Sequence, residues 1–174
     1  MPLKDQQKNI VLIGMPGVGK STIGIILAKV MSRHFIDTDV FIQVREGMTL
    51  QEIIDREGLK TFCGIEERYV VSLASQKGII ATGGSVVYSD AAMDALRSNG
   101  ILIHLYLPLD HIEKRLKDFK ERGVVKHPDQ TLRDLFFERL PLYQRYADIT
   151  IDCTGKNHEE VVSRIIAEIK KIDK

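Results

Sequence analysis

Lys20, Ser21, Asp37 and Asp39 are the side chains of this sequence whose types and spacing best suit phosphate chemistry. Lys20 and Ser21 close the run Gly14-Met15-Pro16-Gly17-Val18-Gly19-Lys20-Ser21, which fits G-x-x-x-x-G-K-S/T. Glycines in such a run let the backbone wrap a phosphate chain with its N–H groups turned inward, and a helix N-terminus behind them favours anions. Gly14, Gly17, Val18, Gly19, Lys20, Ser21 and Thr22 are therefore the expected ATP-binding residues. Lys20 would reach the β- and γ-phosphates, and the Ser21 hydroxyl would hold Mg²⁺. Asp37 and Asp39 stand two apart, so one carboxylate can face the metal while the other orients an attacking hydroxyl and accepts its proton. The same two residues can instead cap a following helix, a position Asp favours.

These groups need elements to position them. Ahead of the glycine-rich run, Asn9–Ile13 is a short apolar stretch that reads as a buried parallel strand, and residues 22–31 behind it read as a packed helix. Further strands are expected at 34–36, 79–82, 101–107 and 149–151. Between them fall helices: one opened by Thr49 with Glu52 and closed by Gly58, then 59–76, then one capped by Ser89 or Asp90. Others are expected at about 110–120, from Thr131 to about 146, and after Asn157 with Glu160. Residues 122–130 contain Gly123 and Pro128, show no periodicity and read as a mobile loop. Five strands alternating with helices predict an α/β fold with a parallel sheet covered on both faces. The P-loop, Asp37/Asp39 and Thr82-Gly83-Gly84 each fall at a strand's carboxyl end, where such sheets bind ligands.

Composition narrows the function classes. A chain of 174 residues, 44% hydrophobic and 28% charged, is expected to form one domain over 1–174. A net charge of +1 argues against nucleic-acid or anionic-membrane partners. Cys63 and Cys153 have no metal-ligand spacing, and residues 1–8 lack the apolar core of a signal peptide. A cytoplasmic monomer is the expectation. His104 and His111 have no second ligand nearby and read as structural. Arg122 and Arg139 have the chemistry for bidentate recognition of phosphate or carboxylate, and Arg115 for stacking on an adenine; read alone, an arginine of this kind is more often a solvated side chain.

The order and spacing of these pieces resemble the shikimate kinase family, small P-loop kinases of the nucleoside monophosphate kinase-like fold. The likeness runs from about residue 9 to 171, through the P-loop, Phe35-Ile36-Asp37-Thr38-Asp39, Phe62 with Glu66, Ala81-Thr82-Gly83-Gly84, and Arg139-Leu140-Pro141-Leu142-Tyr143. It implies a three-layer α/β/α P-loop fold with a five-stranded parallel sheet in the order 2-3-1-4-5 and a mobile lid over about 115–130. It also implies an ATP- and Mg²⁺-dependent kinase that phosphorylates the 3-hydroxyl of shikimate, in the chorismate pathway. By resemblance Asp37 helps to hold the metal, Asp39 binds the substrate hydroxyls as base, Gly83 and Gly84 line the substrate site, and Arg139 pairs with the substrate carboxylate. Arg122-Gly123-Val124-Val125 resembles the lid sequence, making Arg122 the lid arginine, and Arg115 falls at the adenine-stacking position.

Two positions depart from the family pattern. The motif Phe-Arg-x-x-Glu reads Phe62-Cys63-Gly64-Ile65-Glu66, so a substrate-binding Arg is replaced by Cys63, and Gly-Gly-Gly reads Gly83-Gly84-Ser85. Lys60 or Arg68 could supply the missing cation. A kinase for another small hydroxy or sugar acid is the alternative, and a non-catalytic ATP-binding regulatory module is the third reading.

Overall fold

The computed structural model describes residues 8–116, 126–127 and 129–172. Among the described residues five strands form one parallel sheet: β1 (Asn9–Ile13), β2 (Phe35–Asp37), β3 (Ile79–Ala81), β4 (Gly100–Tyr106) and β5 (Ile149–Asp152). Their order is β2-β3-β1-β4-β5, as the resemblance implies. Leu12 of β1 lies between Ala81 of β3 and Ile103 of β4, so the carboxyl ends of the central strands finish close together.

Around the sheet run α1 (Lys20–Met31), α2 (Thr38–Glu46), α3 (Leu50–Glu57), α4 (Leu59–Leu73), α5 (Asp90–Asn99), α6 (Leu109–Leu116), α7 (Leu132–Tyr146) and α8 (His158–Ile172). The chain moves outward from β1 to β2 through α1, then back across the sheet to β3, β4 and β5. Right-handed crossovers place α1 on one face and α4, α5 and α7 on the other, and α8 returns to pack beside α1. The reversal beside β1 is the switch point at which open sheets of this kind bind ligands.

The expected elements form where the chain is described, with ends moved by a few residues for local reasons, and residues 117–120 of the helix expected over about 110–120 lie outside the described residues. α4 stops at Leu73 rather than 76 because the Asn9 side chain intercepts the chain there: its amide donates to Ala74 O (2.7 Å), and Gly78 N donates to its oxygen (2.9 Å). The capping boxes at Thr49/Glu52 and Thr131/Asp134 are both present, and Asn157 and Glu160 exchange reciprocal bonds before α8. The run from Ser85 adds a short 3₁₀ turn, Val86–Tyr88, that carried no periodic signal. Gly24 has a packing reason: a Cβ there would stand 2.5 Å from the Phe35 ring, so α1 can lie this close to β2 only without a side chain.

The main core lies between the sheet and its helices and includes Val11, Leu12, Ile103, Leu105 and Ile165. A second, smaller cluster of Ile42, Leu50, Ile53 and Phe62 ties α2, α3 and α4 together. That cluster sets the pose of α4, whose Cys63 and Glu66 flank the site. Among the described residues no helix is long and apolar enough to cross a membrane.

Candidate active site

The glycine-rich loop is built on backbone that other residues rarely adopt: Gly14, Gly17 and Gly19 have φ of 145°, 81° and 105°. At Gly14 a Cβ would also stand 2.5 Å from Leu105 O. α1 starts directly behind, and Gly19 caps it with no side chain, which leaves first-turn N–H groups facing the loop. Lys20 is buried and donates to Gly14 O (2.7 Å) and Met15 O (3.0 Å). Burial, only partly offset by Asp39, lowers its ammonium to a pKa of about 8. Ser21 next to it is exposed.

Asp37 and Asp39 stand in different settings. Asp37 Oδ1 caps α2, accepting from Asp39 N (3.0 Å) and Val40 N (3.2 Å). Its cap position turns Asp39, in the first turn of α2, towards the end of β3. Burial, and then the Asp37 charge, raises Asp39 to a pKa of about 6. Carboxylate and hydroxyl oxygens suit Mg²⁺, which takes one or two protein ligands and completes its shell with phosphate and water. Asp37, which has a second carboxylate oxygen beyond the capping one, and Ser21 form such a donor pair. No group of three or more His, Cys, Asp or Glu able to hold a metal alone occurs among the described residues.

Gly83 and Gly84 are where the parts meet. A Cβ on Gly83 would stand 2.5 Å from Glu66 Oε1 and 2.6 Å from Asp39 Oδ1; one on Gly84 would stand 2.9 Å from Arg139 Nη1 and 2.9 Å from Pro16 Cδ. These two glycines therefore admit two carboxyl groups, a guanidinium and the P-loop to one small space. The Gly83 amide donates to Thr38 Oγ1 (3.1 Å), so Gly83 contributes close approach here while its amide holds the strand end in place. Thr82 Oγ1 donates to Leu12 O (3.0 Å) and ties β3 to β1.

Arg139 is wholly buried, unlike the solvated helix arginine that it resembles when read alone. Its Nε donates to Tyr88 Oη (3.1 Å), and its guanidinium lies over the Tyr88 ring at 5.0 Å. One turn further on α7, Tyr143 Oη donates to Gly84 O (2.6 Å). His104 stacks on Tyr143 at 5.2 Å, and burial lowers its pKa to about 4. A neutral, stacked imidazole agrees with a structural role.

Arg115 lies on the outer side of the P-loop, donating to Gly17 O (3.2 Å) and Val18 O (3.1 Å). Nearby, Cys153 N donates to Tyr106 O (2.9 Å), and Asp152 Oδ1 accepts from Thr154 N (2.9 Å) to shape the loop after β5. Arg122 and most of the expected lid lie outside the described residues. Of the substitutes for a cation at position 63, neither is at the site. Arg68 pairs with Glu46 (3.5 Å) and lies over the Tyr69 ring, and Lys60 is exposed.

Two residues that line the cleft or brace it carried no assigned role in the sequence. Glu66 is buried and accepts a 2.7 Å bond from Ser85 Oγ, and Tyr88 braces Arg139. For Glu66 the available signal was its spacing, four residues after Phe62 on a helix whose inward face Phe62 marks. Tyr88 lies in the unsignalled 3₁₀ turn.

Comparisons with known proteins agree with one another. The family model described as shikimate kinase matches residues 16–170. A shikimate kinase from Thermodesulfovibrio yellowstonii is 37% identical, over 95% of this chain and 96% of its own. The solved structure of a shikimate kinase from Acinetobacter baumannii in complex with shikimate superposes with a TM-score of 0.90, at 31% identity over 98% of both chains. A gluconokinase from Sinorhizobium meliloti, with a TM-score of 0.58 and 20% identity, shares the fold.

Proposed function

Because the chain belongs to the shikimate kinase family, we propose that it transfers the γ-phosphate of ATP to the 3-hydroxyl of shikimate, with the P-loop and the Gly83–Gly84 cleft as its two subsites. It is a phosphotransferase acting on a hydroxyl group. The observation that carries the division into subsites is the meeting of Asp39 and Arg139 at adjacent glycines, facing the Lys20 loop.

In this reading the P-loop amides and Lys20 hold the phosphates, and Arg115 braces the loop's outer side. Mg²⁺, when bound by Ser21 and Asp37, would neutralise phosphate charge. Arg139, held in plane by Tyr88, pairs with the acceptor's carboxylate and fixes its orientation. A bidentate guanidinium suits that task because it constrains both position and angle. The acceptor hydroxyl then meets Asp39, which accepts its proton as the oxygen attacks in line. Gly83 and Gly84 let the ring lie against backbone. Arg122, in the position resembling the lid arginine, would reach the phosphates from above, and closure would exclude water that otherwise hydrolyses ATP. The protein works as a monomer in this reading.

The experiment is a pH profile of kcat/KM for ATP at saturating shikimate. Asp39 must be ionised to accept a proton, so the rate rises as pH climbs through about 6. Lys20 must be cationic to hold phosphate, so the rate falls as pH climbs past about 8. A flat profile from pH 5 to 9 would contradict these assignments.

A further inference from the structure

Glu66 is a buried carboxyl group that the mechanism above leaves without a task. It is 3% exposed, and Ser85, which donates to its Oε2 at 2.7 Å, is 4% exposed. The other oxygen, Oε1, is buried with no hydrogen-bond partner among the described residues. That oxygen lies beside Asp39 Oδ1, against Gly83, so it faces the acceptor end of the cleft. Burial without a full partner set is costly for a carboxyl group, and a native structure retains such an atom where a ligand or function offsets the cost.

The surroundings explain what holds Glu66. Facing it are Lys20 from α1, Asp39 from α2, Arg139 from α7 and Ser85 from the turn after β3. On its own helix, Cys63 stands one turn earlier, half-buried, within the electrostatic reach of both Glu66 and Arg139. Its thiol carries no positive charge, and burial and Glu66 push its pKa up. The nearest bond that orients the Glu66 carboxyl is therefore the Ser85 hydroxyl, which glycine at position 85 would lack.

We propose that Ser85 is a positioning residue of the acceptor subsite: its hydroxyl fixes the Glu66 carboxyl against Gly83, a task left open because Cys63 offers that carboxyl no cation. The two departures of this sequence are then one coupled change. The inference rests on the proposed shikimate reaction and deepens it. Burial raises Glu66 to a pKa of about 7, and the Ser85 bond favours its ionised form. Ionised Glu66 adds negative charge beside an anionic acceptor, so the KM for shikimate rises with pH around that value.

The test is steady-state kinetics from pH 5.5 to 8.5 on the wild type, Ser85→Ala, Cys63→Arg and the double variant, varying shikimate at saturating Mg·ATP. Towards pH 8.5, where Glu66 is ionised in both proteins, Ser85→Ala raises the shikimate KM about tenfold, the effect of losing one hydrogen bond to a carboxylate, and changes kcat much less. It also moves the pH midpoint of that KM upward, because the bond favouring ionised Glu66 is gone. Cys63→Arg moves the midpoint downward, and it restores most of the lost affinity in the Ser85→Ala background while gaining far less in the wild type. Equal factors for Cys63→Arg in both backgrounds overturn the coupling, as does a Ser85→Ala variant whose kcat and two KM values fall or rise together. Should Ser85→Ala fold poorly, Cys63→Arg alone still decides, since an unmoved midpoint overturns the inference. A wild type with no shikimate turnover would instead overturn the reaction itself, so the two failures are distinct.

Discussion

Lys20→Met lowers kcat/KM for phosphoryl transfer by about three orders of magnitude and leaves the fold intact. The rate effect follows from charge. The transferred phosphoryl group spreads negative charge over its oxygens in the transition state, and a preorganised cation in a dry cleft is worth far more there than in water. Methionine matches the apolar stem of lysine in length and lacks the ammonium. The fold survives because Lys20 is charged at a cost: its pKa is lowered to about 8 by burial, so below that value the folded state holds a proton it favours less than the unfolded chain does. Removing the group relieves that cost and loses only the bonds to Gly14 O and Met15 O. A coupled assay of ADP release, with thermal melting of the same preparation at pH 7, checks both halves. Full activity in this variant would mean that the P-loop does not hold the reacting phosphate.

Asp39→Asn is the second large effect, and its signature is opposite signs for activity and stability. Losing the proposed general base lowers kcat by about two to four orders of magnitude. Asparagine keeps the shape and can still hydrogen-bond a hydroxyl, so the KM for shikimate changes far less than kcat. Stability moves the other way. The carboxyl is raised from 3.8 to about 6, so the folded state keeps its proton after the unfolded chain has released it. Stability from this group therefore falls as pH rises from about 4 to about 6, and at pH 8 the ionised carboxylate is a net cost of at most about 3 kcal/mol. Asp39→Asn removes that cost and melts at a higher temperature than the wild type at pH 8, with the gap closing near pH 4. A variant that is inactive and less stable at pH 8 would point to a structural role for Asp39 instead.

Much of this site could be read from the sequence because its chemistry is concentrated in local patterns. The P-loop needs glycines at positive φ followed by Lys-Ser, and no long-range contact is required to see that. From residue type and spacing alone Asp37 and Asp39 were legible as a pair, and only the family resemblance divided their roles. The cap that Asp37 places on α2 is what turns Asp39 to the cleft, and that depends on backbone geometry at a strand end. Arg139 was harder, since an arginine on a helix carries no local sign of burial. Only the packing of α7 against the turn at Tyr88 makes it an interior residue.

Glu66 and Ser85 show where local reading stops. They are 19 residues apart, and the bond between them exists because β3 returns the chain beside α4. Position 85 could be recognised as a departure without any hint that its hydroxyl would reach position 66. The lysine and arginine considered as replacements for a cation at position 63 share its helix, but Arg68 points to Glu46 and Lys60 to solvent. Helical phase, set by which face Phe62 buries, decides that.

The central claim is that the cleft between the P-loop and Gly83–Gly84 accepts shikimate despite Cys63. ADP release with Mg·ATP, measured across a wide range of shikimate concentration and against a blank without it, tests this directly. Saturable turnover that depends on shikimate is the expected result. A basal ATPase rate that shikimate leaves unchanged at every concentration would contradict it.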